Sequence, residues 1–323
     1  MSSPDTVFIT GGSGYVGSHV VQRLIENGYR VRMLVRRDPG PVPAVEAVVG
    51  DLTNPATYDA ALYGAAAVIH AALTDNLSHD LEATAQLRNR SAQAGVRKFI
   101  HLSTISVYGN PLEGTVTEDT PPIPVADDYA RTKLAIEEML RAPAGIPEVV
   151  ILRLGCVYGM GGGWWTAGLL SLMERGRLIK VNGGSGTANL IHVSDIGAMI
   201  PLLMARSGAP VETFNVTDGM PVSWSRYFSE LEKLLGRSAT VSMDAADALA
   251  YGKKWLQPSL PRRVLRKRQG AKFVHPLDER GIAGFVSQAV YSNRKAAELL
   301  AFHPTHTLES GMQTVKLFRK NTE

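Results

Sequence analysis

Two side chains in this sequence stand at a spacing that can move a proton. Tyr129 and Lys133 lie four residues apart in Tyr129-Ala130-Arg131-Thr132-Lys133, at the start of a helical pattern, so both face the same way. A tyrosine is normally protonated at neutral pH, with a pKa of about 10. A neighbouring ammonium favours the phenolate, which makes Tyr129 a usable general acid or base. The same spacing recurs in Tyr291-Ser292-Asn293-Arg294-Lys295. Context separates the two copies. Leu102-Ser103-Thr104-Ile105-Ser106-Val107-Tyr108-Gly109 ends a strand in hydroxyls ahead of Tyr129, whereas the second copy has no such strand end and reads as an exposed helix start.

The chain begins with the element that would feed this chemistry. Val7-Phe8-Ile9 reads as a buried strand, and the glycine turn of Gly11, Gly14 and Gly17 follows. Val16, Val20, Leu24 and Ile25 then mark one face of a helix that Asn27-Gly28 ends. In a dinucleotide site, Gly11 permits the tight turn, Gly14 lets the backbone approach a pyrophosphate, and Gly17 lets helix and strand pack closely. Ser13, Tyr15 and Val16 complete the turn, where unpaired N–H groups and the positive helix end meet the phosphates. A bound oxidised nicotinamide would add to the pull toward the Tyr129 phenolate.

The next strand, Val31 to Val35, ends in Arg36-Arg37, where an acid would select NAD. Two guanidinium groups suit the 2′-phosphate of NADP instead, although either could be a solvated loop charge. Val48-Val49 leads into Gly50-Asp51-Leu52, where Asp51 either accepts from the adenine amino group or caps a helix beginning near Pro55. Ala66 to His70 forms a fourth strand, and Ala71-Ala72 are small enough for a cofactor to lie on the backbone. His70 reads as a packed strand histidine. A helix over Leu81 to Ala94 and a strand over Phe99 to Leu102 continue the alternation. The expected class is α/β, a Rossmann-type doubly wound parallel sheet with a smaller C-terminal substrate-binding domain.

At 323 residues with ordinary apolar and charged fractions, the composition is that of a soluble globular chain. The net charge of +4 is too mild to suggest nucleic acid. Arg262-Arg263-Val264-Leu265-Arg266-Lys267-Arg268 reads as a solvated patch; the sharper alternative is a membrane-surface contact aided by Trp255, Leu256, Leu260 and Leu265. A single cysteine, Cys156, leaves no internal disulfide and no cysteine-based metal site, and no metal is expected. With no transmembrane run and a first strand near the N-terminus, no signal peptide is expected and the cytoplasm is the default.

These residues together resemble the extended short-chain dehydrogenases/reductases, also called the NAD-dependent epimerase/dehydratase family. Thr10 to Gly17 is similar to its T-G-x-x-G-x-x-G signature, and Tyr129 and Lys133 match its Y-x-x-x-K. Thr104 falls where the family keeps a catalytic Ser or Thr. Leu152 to Gly159 resembles the segment crossing from cofactor to substrate domain, Ile191-His192-Val193-Ser194-Asp195 the later H-V-D-D stretch, and Phe214-Asn215-Val216 a return strand. The resemblance implies that Tyr129 exchanges the proton, Thr104 bonds the reacting oxygen, and Lys133 holds the nicotinamide ribose and lowers the tyrosine pKa. It also implies a homodimer through the helices near 81–94 and 129–141. A weaker likeness runs to 3β-hydroxysteroid dehydrogenase-like members.

Departures from the family pattern narrow the reaction. Ile105-Ser106 stand where sugar-nucleotide dehydratases carry an Asp-Glu pair, which argues against dehydration. Gly186-Thr187-Ala188-Asn189-Leu190 has no arginine where sugar-nucleotide enzymes grip a diphosphate. Trp164-Trp165, after Gly161-Gly162-Gly163, offers an apolar substrate wall or simply core packing. His275, Asp278 and Glu279 are further candidates for the pocket. The expected division is 1–159 plus about 190–216 for the NADP-binding domain, and about 160–189 plus 217–323 for the substrate domain. The expected function is NADPH-dependent reduction of a non-nucleotide, apolar ketone, or oxidation of the alcohol. The alternatives are a nucleotide-sugar epimerase or reductase and a non-catalytic NADPH sensor.

Overall fold

The computed structural model describes residues 5–74, 76–111, 113–123, 127–143, 145–256 and 272–322. Seven strands form its centre: β1 (Thr6–Thr10), β2 (Arg30–Val35), β3 (Val45–Val49), β4 (Ala65–His70), β5 (Lys98–Thr104), β6 (Glu148–Leu154) and β7 (Val211–Val216). They pair only in parallel, in the order β7-β6-β5-β4-β1-β2-β3. A parallel sheet buries both faces, and all seven residues of β5 are buried accordingly. The order reverses direction between β1 and β4. Open α/β sheets bind ligands at such a switch point, outside the carboxyl ends of the strands.

Helices cover both faces. On one face, Val20 and Leu24 of the helix Tyr15–Glu26 pack with Ile196, Met199 and Leu203 of the helix Val193–Ala205. On the other, Ala83 and Leu87 of the helix Leu77–Gln93 meet Ile136 and Leu140 of the helix Asp128–Arg141. The first of these helices starts four residues before the expected Leu81, because the Asn76 side chain accepts from Ser78 N at 3.1 Å and caps it. The helix expected near Pro55 is a 3₁₀ turn, Pro55–Thr57, and then the short helix Asp59–Leu62.

A second core gathers around Trp224, Tyr227, Phe228 and Leu231, with Leu169, Met173, Met312 and Val315. Beside it the strand Arg177–Val181 pairs with Thr240–Met243 and Val274–His275. The segment 217–323 is not wholly on this side, since Ala296, Leu300 and Phe302 pack into the main core. The stretch Arg262–Arg268 lies outside the described residues. Trp255, offered as a membrane contact, has its ring 5.9 Å from Tyr251 and 5.6 Å from Phe273. Among the described residues, no helix is long and apolar enough to cross a membrane.

Candidate active site

The glycine turn is built as its spacing requires. Gly11 has φ +70, and a Cβ there would lie 2.6 Å from Ala72 N, so the turn presses directly on the backbone of Ala71-Ala72. A Cβ on Gly17 would lie 2.0 Å from Gly11 O, which leaves no room for any side chain between helix and turn. The first backbone bond of the helix is Ser18 N to Gly14 O at 2.9 Å, and no side chain caps its N-terminus. The N–H groups of Tyr15, Val16 and Gly17 therefore face the turn without helical acceptors. This arrangement fits a pyrophosphate. Tyr15 contributes backbone only, because its ring turns against Gly161 and Gly163.

Arg36 and Arg37 follow the end of β2, and both are exposed. Asp51 is exposed as well, and its Oδ1 accepts from Thr53 N and Thr53 Oγ1, each at 2.8 Å. Those bonds, helped by the Arg36 charge, hold its carboxyl below the usual range. Asp51 thus closes an Asx turn and does not cap the 3₁₀ turn Pro55–Thr57, whose N-cap position is Asn54. Leu52 is buried with Phe8 and Tyr58 in the core on the sheet face covered by the helices Leu77–Gln93 and Asp128–Arg141. His70 is a packed strand histidine: Thr10 Oγ1 lies 2.7 Å from Nδ1 and Thr84 Oγ1 2.9 Å from Nε2. Burial lowers its pKa to about 3, so it stays neutral.

β5 and the helix Asp128–Arg141 bring the three proton-handling candidates together. Thr104, the last residue of β5, is buried, and its Oγ1 lies 3.2 Å from both Ser106 N and Ser106 Oγ. Tyr129 is half-buried, and the Thr104 side chain is close enough to favour its ionised form. Lys133 is buried and its Nζ donates to Leu102 O at 2.9 Å. Burial is the largest influence on Tyr129 and raises its pKa, with the neighbouring Thr104 side chain working the other way. Burial also lowers Lys133, to about 8.

Behind the three lies a charged network that no sequence pattern announced. Arg153 and Glu137 are fully buried and joined by bonds of 3.1 Å from Nε to both carboxylate oxygens and 2.6 Å from Nη2 to Oε2. Ser103 Oγ donates to Glu137 Oε1 at 2.6 Å. The Arg153 guanidinium sits 4.5 Å over the Tyr108 ring, whose hydroxyl donates to Asn215 Oδ1 at 2.8 Å. Asp127, which caps the tyrosine helix through Ala130 N at 3.1 Å, also accepts from Arg280 Nη1 at 2.6 Å.

The second tyrosine–lysine copy is not an exposed helix start. Tyr291 is buried at the end of the strand Val290–Tyr291, which pairs with Thr115–Val116, and its ring lies 5.6 Å from Tyr108. Lys295 Nζ lies 5.1 Å over the Phe214 ring. Trp165 is also reassigned: its ring is 5.2 Å from Trp224, and its carbonyl accepts from the Tyr227 hydroxyl at 2.6 Å, within the second core. Trp164 is 60% exposed. An apolar cleft of about 390 Å³ opens between Gly159, Met160, Ala167, Leu170, Val315 and Phe318, and neither tryptophan lines it. His275 is held inside the fold, where Nε2 donates to Leu172 O at 2.8 Å; Asp278 caps a helix through Gly281 N at 2.7 Å, and Glu279 pairs with Lys253 at 3.4 Å.

His192, Asp195 and His306 also cluster. Their imidazole rings stack with centroids 3.9 Å apart at 22°, so the in-plane lone pairs run side by side and do not converge on one ion. Asp195 instead accepts from Thr305 N, Thr305 Oγ1 and His306, tying the helix Val193–Ala205 to the C-terminal segment.

A crossover-connected parallel sheet with an uncapped glycine turn at its switch point defines a dinucleotide-dependent α/β enzyme. The chain belongs to the NAD dependent epimerase/dehydratase family, whose family model matches residues 7–217. UDP-glucose 4-epimerase of Vibrio cholerae is 30% identical over 253 residues, covering 71% of this chain and 75% of that protein. 3-beta-hydroxysteroid dehydrogenase of Mycolicibacterium neoaurum is 26% identical over 339 residues, covering 95% of this chain and 89% of that protein. The solved UDP-glucuronic acid 4-epimerase from Bacillus cereus, in complex with UDP-glucuronic acid and NAD, shares the fold. Its TM-score is 0.74 at 23% identity, over 98% of this chain and 100% of that one. The protein is thus an NAD(P)-dependent enzyme of the oxidoreductase and epimerase type.

Proposed function

We propose that the protein is an NADPH-dependent carbonyl reductase, or secondary-alcohol dehydrogenase in the reverse direction, acting on an apolar substrate that is not a nucleotide. One observation carries the substrate class. In Gly186–Leu190, where sugar-nucleotide enzymes of the family commonly place a diphosphate-gripping arginine, the one polar amide is Asn189, and it is occupied at both ends. Its Nδ2 donates to Ala289 O at 3.0 Å and its Oδ1 accepts from Tyr291 N at 2.9 Å. Burying a diphosphate without cationic partners is expensive. The alignment with the steroid dehydrogenase, which reaches across 95% of this chain, supports the same reading.

In this reading the bound nicotinamide supplies the hydride. The glycine turn and the N–H groups of Tyr15 to Gly17 hold the pyrophosphate, Ala71-Ala72 let the cofactor lie on the backbone, and Arg36 with Arg37 take the 2′-phosphate. Thr104 Oγ1 and the Tyr129 hydroxyl grip the carbonyl oxygen, and Tyr129 gives it a proton. Burial keeps that phenol protonated, as a reductase needs. Lys133, anchored to Leu102 O, supplies positive charge beside the tyrosine and holds the ribose. Trp164 is the remaining exposed aromatic for an apolar substrate wall.

The Vibrio relative favours a second reading, a nucleotide-sugar epimerase using the same residues. Calorimetric titration of the protein with UDP and UDP-glucose separates the two. The reductase reading expects no saturable binding below millimolar concentration, and micromolar binding of UDP would favour the epimerase.

A further inference from the structure

The last three residues of β5 are Leu102, Ser103 and Thr104, and the first two are bonded to the tyrosine helix. Leu102 O accepts from Lys133 Nζ at 2.9 Å, and Ser103 Oγ donates to Glu137 Oε1 at 2.6 Å. Lys133 and Glu137 stand four residues apart on the helix Asp128–Arg141, so one face of that helix grips β5 at two successive residues. Thr104 comes next. The grip has a backing on the neighbouring strand: Arg153 of β6 is the register partner of Ser103. Its Nε lies 3.1 Å from both Glu137 oxygens and its Nη2 2.6 Å from Oε2, while Arg141 Nη2 lies 3.4 Å from Oε2. The Arg153 guanidinium also sits 4.5 Å over the ring of Tyr108, in the 3₁₀ turn Ile105–Tyr108 that follows Thr104. Thr104 is thus held from the residue before it and from the turn after it.

A buried ion pair adds little stability over apolar side chains of the same volume, because desolvation offsets the attraction; its best-attested use is to fix register. Apolar contacts let a helix slide along a sheet. Directed bonds from one fully buried carboxylate to two adjacent strands do not. We propose that Glu137 and Ser103 are positioning residues: their bond, backed by Arg153, fixes the register between the tyrosine helix and β5, and so the placement of Tyr129 and Lys133 against Thr104. The inference rests on the reading that these three residues handle the proton, and it holds for either substrate class.

Ser103→Ala cuts the link to β5 and leaves the Arg153–Glu137 pair whole, so no buried charge is stranded. It is expected to lower kcat about tenfold or more while KM and cofactor affinity hold, since a misplacement of about 1 Å can cost about 100-fold. Ser91→Ala is the control. It removes another buried hydroxyl bond, from Ser91 Oγ to Leu87 O at 2.7 Å, and should lower Tm by a similar few degrees with kcat unchanged. Turnover is measured with an apolar ketone and with UDP-glucose, so a wild type that accepts only the sugar nucleotide counts against the reductase reading and still tests the clamp. For a wild type that turns over neither, ¹⁵N NMR of the lysine-labelled, ligand-free full chain supplies the readout, with Lys133 assigned through Lys133→Met. Hydrogen exchange of the Lys133 ammonium should quicken several-fold in Ser103→Ala and not in Ser91→Ala. Wild-type kcat in a folded Ser103→Ala protein, or an equal fall in both serine variants, overturns the proposal; in the inactive case, unchanged Lys133 exchange does. If Ser103→Ala does not fold, Ser103→Cys, close in size and a weaker donor, takes its place under the same outcomes.

Discussion

Lys133 Nζ donates to Leu102 O at 2.9 Å, which ties the tyrosine helix to the strand end that carries Thr104. One bond therefore sets both the position of the ammonium and the distance between the helix and β5. Its burial lowers the lysine pKa from 10.5 to about 8. A lysine depressed in the fold binds fewer protons there than in the unfolded chain across that interval, so it makes stability rise with pH between about 8 and 10.5. Activity should do the opposite and fall through the same window as the ammonium is lost. Chemical denaturation and kcat, each measured from pH 7 to 10, check the divergence, and Lys133→Met should remove this contribution to the rise in stability.

Tyr129→Phe deletes the proton donor and leaves the glycine turn intact. Turnover is expected to fall about 100-fold or more, the lower end of what general acid–base catalysis contributes. Cofactor affinity should hold. Tyr291→Phe, in the buried strand beside Tyr108, should leave kcat near wild type. Equal losses in the two variants would remove Tyr129 from its role.

If Arg36 takes the 2′-phosphate as proposed, Arg36→Ala removes a charge-assisted contact worth roughly 1.5–3 kcal/mol, or about 10- to 150-fold in affinity. NADPH binding should weaken by that factor, NADH binding much less, and the difference should shrink as salt screens the charge. Fluorescence titration of both cofactors is the check. A wild type that prefers NADH would show that these exposed guanidinium groups serve another purpose.

Gly17→Ala places a Cβ 2.0 Å from Gly11 O, a backbone atom that cannot swing aside. Overpacking of this kind costs about 1–3 kcal/mol. Thermal unfolding should show the loss, and dinucleotide affinity should drop with it, because the shift falls on the turn that would cradle the pyrophosphate.

The glycine turn and the Tyr129–Lys133 pair were legible because both are local: a strand, a turn and a helix are written in consecutive residues. The parallel pairing of the main strands followed from the alternation of strand and helix. What escaped depended on contacts between distant parts of the chain. Tyr291 lies in a two-residue strand whose partner is Thr115–Val116, too short for any periodicity to mark. Trp165 packs on Trp224, 59 residues further along the numbering, and nothing beside it distinguishes a core tryptophan from a substrate wall. Asp80 lies ahead of the helix expected from Leu81, yet the observed helix starts at Leu77 and Asp80 is buried.

The most direct measurement follows NADPH absorbance while the protein is offered a panel of fused-ring and long-chain ketones, with UDP-glucose alongside, and product is counted in the same samples. The expected result is one NADPH oxidised for each molecule of secondary alcohol formed from an apolar ketone, with no turnover of the nucleotide sugar. Interconversion of UDP-glucose with no net change in NADPH, and no reduction of any ketone, would contradict it.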